Sequence, residues 1–134
     1  MPNQLAVEYI LGKRMIYKVR AKIIEEKLGD FYEKLTDGTI NSQRPDGEEM
    51  VSSMKRAVLA EAGIVEWFEM CFCPTPLQHE RATHYDSYFS KIDTELVDSY
   101  GKINGESFWS YMESIKIGKI ANHQPVNNCV ICNY

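Results

Sequence analysis

Two cysteines and two histidines lie close together in one short part of the chain. Residues 71–81 read CFCPTPLQHER, which includes Cys71, Cys73 and His79, and His84 follows. Thiol and imidazole groups are the side chains that bind zinc or that act as nucleophile and base. Three chemical interpretations fit these residue types, beside the plain one in which the cysteines are only small buried hydrophobic residues.

The first interpretation is a metal site. Cys71, Cys73, His79 and His84 together would supply the nitrogen and sulfur ligands of tetrahedral zinc, and Cys129 and Cys132 form a further C-x-x-C pair. Against this, alternate positions of a strand are an unusual source of zinc ligands, and histidines five positions apart do not share a helix face. A zinc-binding structural protein is therefore an alternative, and the leading prediction includes no metal and no cofactor.

The second interpretation is a reactive thiol. Cys73 is expected at the end of a strand just before a helix, and helix N-termini stabilise anions and lower the pKa of a thiol. His79 or His84 would then act as the base. This alternative is a thiol-dependent enzyme or redox protein that uses Cys73. The common nucleotide-binding, zinc-protease and α/β-hydrolase motifs are absent from the sequence, so whether the chain is an enzyme stays open.

The third interpretation, which we prefer, is a binding cleft for a small molecule or an anion. It would lie where the predicted strand 64–73 ends and the predicted helix 76–90 begins, because a helix N-terminus offers N–H groups to an anion. The residues expected to contact the ligand are Trp67, Glu69, His79, Arg81 and Tyr85.

Alternating residues predict the strands that would position this segment. Residues 15–24 alternate between a basic face and an apolar face. Residues 57–60 predict a short strand, and 64–73 a longer one whose core face carries Ile64, Phe68 and Met70. Residues 92–98 fit either a last strand or the continuation of the preceding helix.

Residues with helical spacing predict the helices. Leu28, Phe31 and Leu35 form a stripe over 25–36. A second helix is expected from Asp46, which has capping-box spacing to Glu49. A third, over 76–90, would be capped by Thr75 with Pro76 in its first position. Residues 106–113 predict a closing helix.

This order of elements predicts an α+β fold, specifically a ferredoxin-like βαββαβ sandwich with an antiparallel sheet and helices on one face. An extra short helix and terminal extensions are added to it. Residues 1–14 are expected to be an N-terminal extension, 15–115 a single domain and 116–134 an irregular C-terminal tail.

Length and composition limit the class of protein. The chain has 134 residues, of which 44% are hydrophobic, and a net charge of −4. A net negative charge argues against a nucleic-acid partner, and no apolar run is long enough to span a membrane. Because no signal peptide is evident, we expect a small soluble protein in the cytoplasm. The 11% aromatic content exceeds what one sheet-and-helix layer is expected to bury, which predicts a homo-oligomer, most simply a dimer.

Overall fold

A computed structural model describes the backbone of residues 14–122 and the side chains of residues 14–118. Within these residues the chain has a mixed α+β fold with one five-stranded antiparallel sheet and four helical segments. Among them no helix is long and apolar enough to cross a membrane. The predicted extension 1–14, apart from its last residue, and the tail beyond residue 122 lie outside the described part.

The sheet has the strand order β4-β1-β3-β2-β5, and each neighbouring pair is antiparallel. The strands are β1 (Met15–Ile23), β2 (Val58–Glu61), β3 (Ile64–Cys71), β4 (Phe89–Val97) and β5 (Glu106–Ser107). Of the two predictions for 92–98, the strand is confirmed, and it begins earlier than expected.

The four helical segments join the sheet in one core. They are α1 (Leu28–Thr36, after a 3-10 turn at Glu25–Lys27), α2 (Gly47–Arg56), the composite segment α3 (residues 78–88) and α4 (Phe108–Asn122). The tail that was expected to be irregular from residue 116 is therefore helical as far as Asn122. Ile115 packs against the core one residue before that predicted boundary, which favours continuation of the helix.

The alternation of β1 is confirmed by its burial. Tyr17, Val19, Ala21 and Ile23 are buried, whereas Arg20 and Lys22 are exposed. The stripe of α1 is confirmed in the same way, since Leu28, Phe31 and Leu35 are buried. One face of the sheet and the apolar sides of the helices thus form the core.

The predicted core face of β3 is wrong. Val65, Trp67, Glu69 and Cys71 are buried, and the opposite face, which includes Met70, is half-buried. The pairing with β1 determines this, because Trp67 lies opposite the buried Val19 and paired residues point to the same side. Both faces of β3 carry apolar residues and a glutamate, so alternation alone did not distinguish them.

The predicted start of the third helix is also wrong. Leu77 has a left-handed φ of 55° and is fully buried, and the helix begins at Gln78 rather than at Pro76. The segment ends at Tyr88 instead of residue 90, because Phe89 is already the first residue of β4. Burial of Leu77 and Phe89 in the core outweighs the local capping signal of Thr75 and Pro76.

A π-helical turn sets the orientation of α3. The segment consists of an α turn (Gln78–Glu80), a π-helical turn (Arg81–Tyr85) and a second α turn (Asp86–Tyr88). The i to i+5 hydrogen bonding of a π-helix brings residues five apart onto nearly the same side. Glu80 and Tyr85, which an α-helix would direct to different sides, are therefore both buried.

Two substitutions on opposite faces of β3 test the assignment of its buried face. We expect Val65→Asp to lower the free energy of unfolding by about 4 kcal/mol or more, since it places an unpaired charge in the core. Met70→Asp on the half-buried face should cost only about 1–2 kcal/mol. Urea denaturation followed by circular dichroism measures both. A larger loss for Met70→Asp than for Val65→Asp would reverse the assignment of the faces.

Candidate functional site

A pocket of about 390 Å³ lies between the end of β3, the start of α2 and the first turn of α3. Its walls are partly apolar and partly polar. The apolar residues are Pro45, Met70, Phe72, Pro74 and Ala82, and the polar ones are Asp46, Glu49, Cys71, Cys73, Gln78, His79 and Glu80.

Two thiols and a carboxyl group meet on one side of the pocket. We call Cys71, Cys73 and Glu80 the thiol–carboxyl cluster. Oε1 of Glu80 lies 3.8 Å from Sγ of Cys71 and 3.5 Å from Sγ of Cys73. One potential ligand atom from each residue lies within 4.8 Å of the other two.

Backbone N–H groups also point at the two sulfur atoms. The N–H of Cys73 donates to Sγ of Cys71, with 3.2 Å between nitrogen and sulfur. The N–H of His79 donates to Sγ of Cys73 at 3.4 Å. These donors favour negative charge on the sulfur atoms. Both contacts form because the chain turns tightly between β3 and α3. This turn brings the N–H groups of residues 73 and 79 close to the two sulfur atoms.

In the protein alone, burial favours the neutral forms of the cluster. Burial raises the pKa of the Cys71 thiol strongly, and it also raises that of the Cys73 thiol. Burial likewise raises the pKa of Glu80, with a smaller contribution from the nearby Asp46 carboxyl. A thiol with a raised pKa is a poor nucleophile at neutral pH, so this environment does not activate Cys73.

A fully buried carboxyl group connects β3 to α3. Oε1 of Glu69 accepts hydrogen bonds from Nε1 of Trp67 at 2.8 Å and from the hydroxyl of Tyr85 at 2.7 Å. Its Oε2 has no hydrogen-bond partner within the described residues. Burial raises the pKa of Glu69 well above its usual range, and the Glu80 carboxyl adds to the effect. Burial therefore favours the protonated form of Glu69 over the carboxylate.

A carboxylate–imidazole pair forms another side of the pocket. Nδ1 of His79 lies 2.6 Å from Oδ2 of Asp46, and Nε2 of Gln43 donates to Oδ1 of Asp46 at 2.9 Å. The loop that carries Asp46 lies close to α2, because a Cβ atom on Gly47 would lie only 1.9 Å from the Ile40 carbonyl oxygen. Only glycine fits there without moving this loop.

The capping box predicted for α2 is not formed within the described residues. Asp46 precedes the helix, but its carboxylate bonds to Gln43 and His79 instead of to the helix N–H groups. Glu49 accepts a hydrogen bond from the backbone N–H of Met70 at 2.9 Å. Both acidic residues therefore join α2 to the pocket, and long-range partners replace the local ones that their spacing suggested.

The structure brings some of the predicted site residues together and separates others. Cys71, Cys73 and His79 line the pocket. His84 lies outside this lining, and its Nε2 is 3.0 Å from Oε1 of Gln43. Arg81 forms a surface ion pair with Asp86.

Three predicted ligand-binding residues lie in the core. Trp67, Glu69 and Tyr85 are buried and bond to one another, and the indole ring also packs against Tyr85 and Phe89. The ligands predicted for zinc also differ from the cluster that the structure shows. Within the described residues, Glu80 lies with Cys71 and Cys73, and neither histidine does.

Three acidic residues of the site were not predicted from the sequence. Glu80 fitted the exposed side of an ordinary helix, and Asp46 and Glu49 fitted a helix cap. Their inward or long-range roles depend on the π-helical turn and on the packing of the loop before α2. Neither feature has a recognisable pattern in the sequence.

We compared the chain with protein-family models, with curated proteins and with solved structures, and found no match.

The raised pKa of Glu69 makes stability depend on pH. Above the ordinary glutamate pKa of 4.5 the unfolded chain loses the carboxyl proton, whereas the folded protein keeps it to a higher pH. The free energy of unfolding should therefore fall as the pH rises above about 5. We expect Glu69→Gln to reduce this slope by up to about 1.4 kcal/mol per pH unit.

Urea denaturation at several pH values measures that slope. The buffer contains a metal chelator, so that bound metal ions do not contribute to the measured stability. Glu95→Gln, which removes an exposed carboxylate from β4, is the control and should leave it unchanged. Equal slopes for the wild type and Glu69→Gln would show that Glu69 is ionised in the folded protein.

Proposed function

We propose that this chain binds a small molecule with an apolar body and a cationic or hydrogen-bond-donating group in the pocket beside the end of β3. The observation that carries the proposal is the combination of apolar walls with the carboxyl groups of Asp46 and Glu49. Pockets of this size and mixed lining are typical of small-molecule sites.

The charges around the pocket favour a cation over an anion. Among the described residues, no lysine or arginine lines it, and Arg56, which pairs with Glu49 at 3.3 Å, lies outside the lining. The one imidazole in the lining, that of His79, is held by Asp46. The sequence suggested either a small molecule or an anion as the ligand. An anion would face the carboxyl groups of the lining, so the pocket supports the small molecule. The helix N-terminus expected at Pro76 does not support an anion either, because α3 begins only with the three-residue turn Gln78–Glu80.

Three ligands with the same ring and different head groups test the proposal. We expect benzylamine to bind more tightly than benzyl alcohol and benzoate to bind most weakly, because the ammonium group meets carboxylates and the benzoate is repelled. Asp46→Asn should weaken benzylamine binding about tenfold, which corresponds to about 1.4 kcal/mol. Changes in amide chemical shifts on titration measure the affinities and locate the site.

Glu95→Gln makes the same change of charge on β4, away from the pocket, and should leave benzylamine binding unchanged. The proposal fails if benzoate binds as well as benzylamine, if none of the three shifts the amides of residues 70–82, or if both variants weaken binding equally.

We also propose that the fold belongs to the ferredoxin-like class, extended by β5 and α4. The strand order β4-β1-β3-β2 supports this, since that class has the same order of four antiparallel strands. The placement of α1 and α2 between β1 and β2, and of α3 between β3 and β4, also supports it. A solved structure with another strand order would contradict it.

A second copy of the chain is the partner we propose, in a reducing cytoplasm that keeps Cys71 and Cys73 as free thiols. β4 is an edge strand, and its Leu96 is 59% exposed. Exposed edge strands readily pair with another chain. We expect light scattering to give twice the mass of one chain at micromolar concentration and Leu96→Lys to reduce it. A one-chain mass for the wild type would refute the dimer.

A further inference from the structure

The thiol–carboxyl cluster has the composition of a metal site. We propose that Cys71, Cys73 and Glu80 bind a zinc ion through the two sulfur atoms and one carboxylate oxygen, with the fourth coordination position open to the pocket. The site opens into the pocket proposed above but rests on the thiol–carboxyl cluster alone, so it stands or falls without the small-molecule function.

The two sulfur-to-oxygen distances of the cluster match tetrahedral coordination. Zinc bonds of about 2.3 Å to sulfur and about 2.0–2.2 Å to oxygen place neighbouring ligand atoms about 3.5–3.8 Å apart. The two sulfur-to-oxygen distances in the cluster are 3.5 and 3.8 Å. The two sulfur atoms lie within 4.8 Å of each other, so all three potential ligand atoms surround one point.

The donor types select zinc from the common divalent ions. Thiolates are soft ligands that calcium and magnesium do not use, whereas zinc accepts sulfur and carboxylate oxygen in one site. The positive charge of a divalent ion would also balance the negative charge of the two thiolates and the carboxylate in this buried cluster. Binding would release the protons of both thiols and of the carboxyl group to solvent.

The backbone supports this charge on the sulfur atoms. The N–H groups of Cys73 and His79 each donate to one sulfur, at 3.2 and 3.4 Å, and such donors stabilise a metal-bound thiolate. Both cysteines are held in place, Cys71 as the buried last residue of β3 and Cys73 by the turn that follows. A site built on these elements is largely formed before the metal binds.

The remaining position of the ion would open towards the pocket. All three ligand residues also line it, next to Asp46 and His79. A site with three protein ligands and an exchangeable fourth position is typical of zinc that binds or activates a small molecule, whereas structural zinc has four protein ligands. The imidazole of His79 stays with Asp46 in this arrangement.

Cobalt(II) titration of the full, reduced, metal-free chain tests the proposal, because cobalt replaces zinc and reports its ligands by absorption. We expect one equivalent to give thiolate-to-cobalt charge-transfer absorption and the visible bands of a tetrahedral ion, and zinc to displace it. Cys71→Ser and Cys73→Ser should each reduce the charge-transfer intensity and weaken binding. Glu80→Gln should weaken binding at least about tenfold while the charge-transfer band remains, since loss even of outer contacts costs about 10–100-fold.

The double variant Cys129→Ser/Cys132→Ser is the matched control, because it removes the other two thiols of the chain. It should keep the full signal. No charge-transfer band in the wild type, or its loss in this control, would overturn the proposal. Circular dichroism of each metal-free variant checks folding. If Cys71→Ser does not fold, Cys73→Ser and Glu80→Gln decide, and unchanged cobalt binding in both would also overturn the proposal.

Discussion

The hydrogen bond from Tyr85 to Glu69 is the contact on which the site depends. It joins two fully buried polar side chains, one on the central strand β3 and one in the π-helical turn of α3, with 2.7 Å between the oxygen atoms. A buried carboxyl group without such a partner would strongly destabilise the fold. Because Trp67 donates to the same oxygen, the position of Glu69 is fixed from two sides.

This contact determines where the rest of α3 lies. With Tyr85 held against β3, the π-helical turn directs Glu80 towards the end of the same strand, where it meets Cys71 and Cys73. The neighbouring His79 then reaches Asp46 at the start of α2. The pocket is the space that remains between these elements, and its carboxyl and imidazole groups come from two parts of the chain, residues 46–49 and 79–80.

The sequence predicted the parts of this fold that depend on periodicity. Strand β1 and helix α1 were recognisable because their buried residues recur at the spacing of one element. The inward face of β3 was not, since Glu66 and Glu69 give its two faces similar composition. The left-handed Leu77 and the π-helical turn were beyond prediction because long-range packing, rather than local propensity, stabilises them. Cys71 and Cys73 were identified from residue type alone. The role of Glu80 follows only from the left-handed Leu77 and the π-helical turn.

The buried hydrogen-bond network thus positions the three residues that we propose as zinc ligands at the edge of the pocket. X-ray absorption spectroscopy of the zinc-loaded full chain tests this most directly, because it reports the number and type of atoms bound to the ion. We predict two sulfur atoms at about 2.3 Å and oxygen or nitrogen atoms at about 2.0–2.2 Å. Four sulfur atoms, or none, around the zinc would contradict the account.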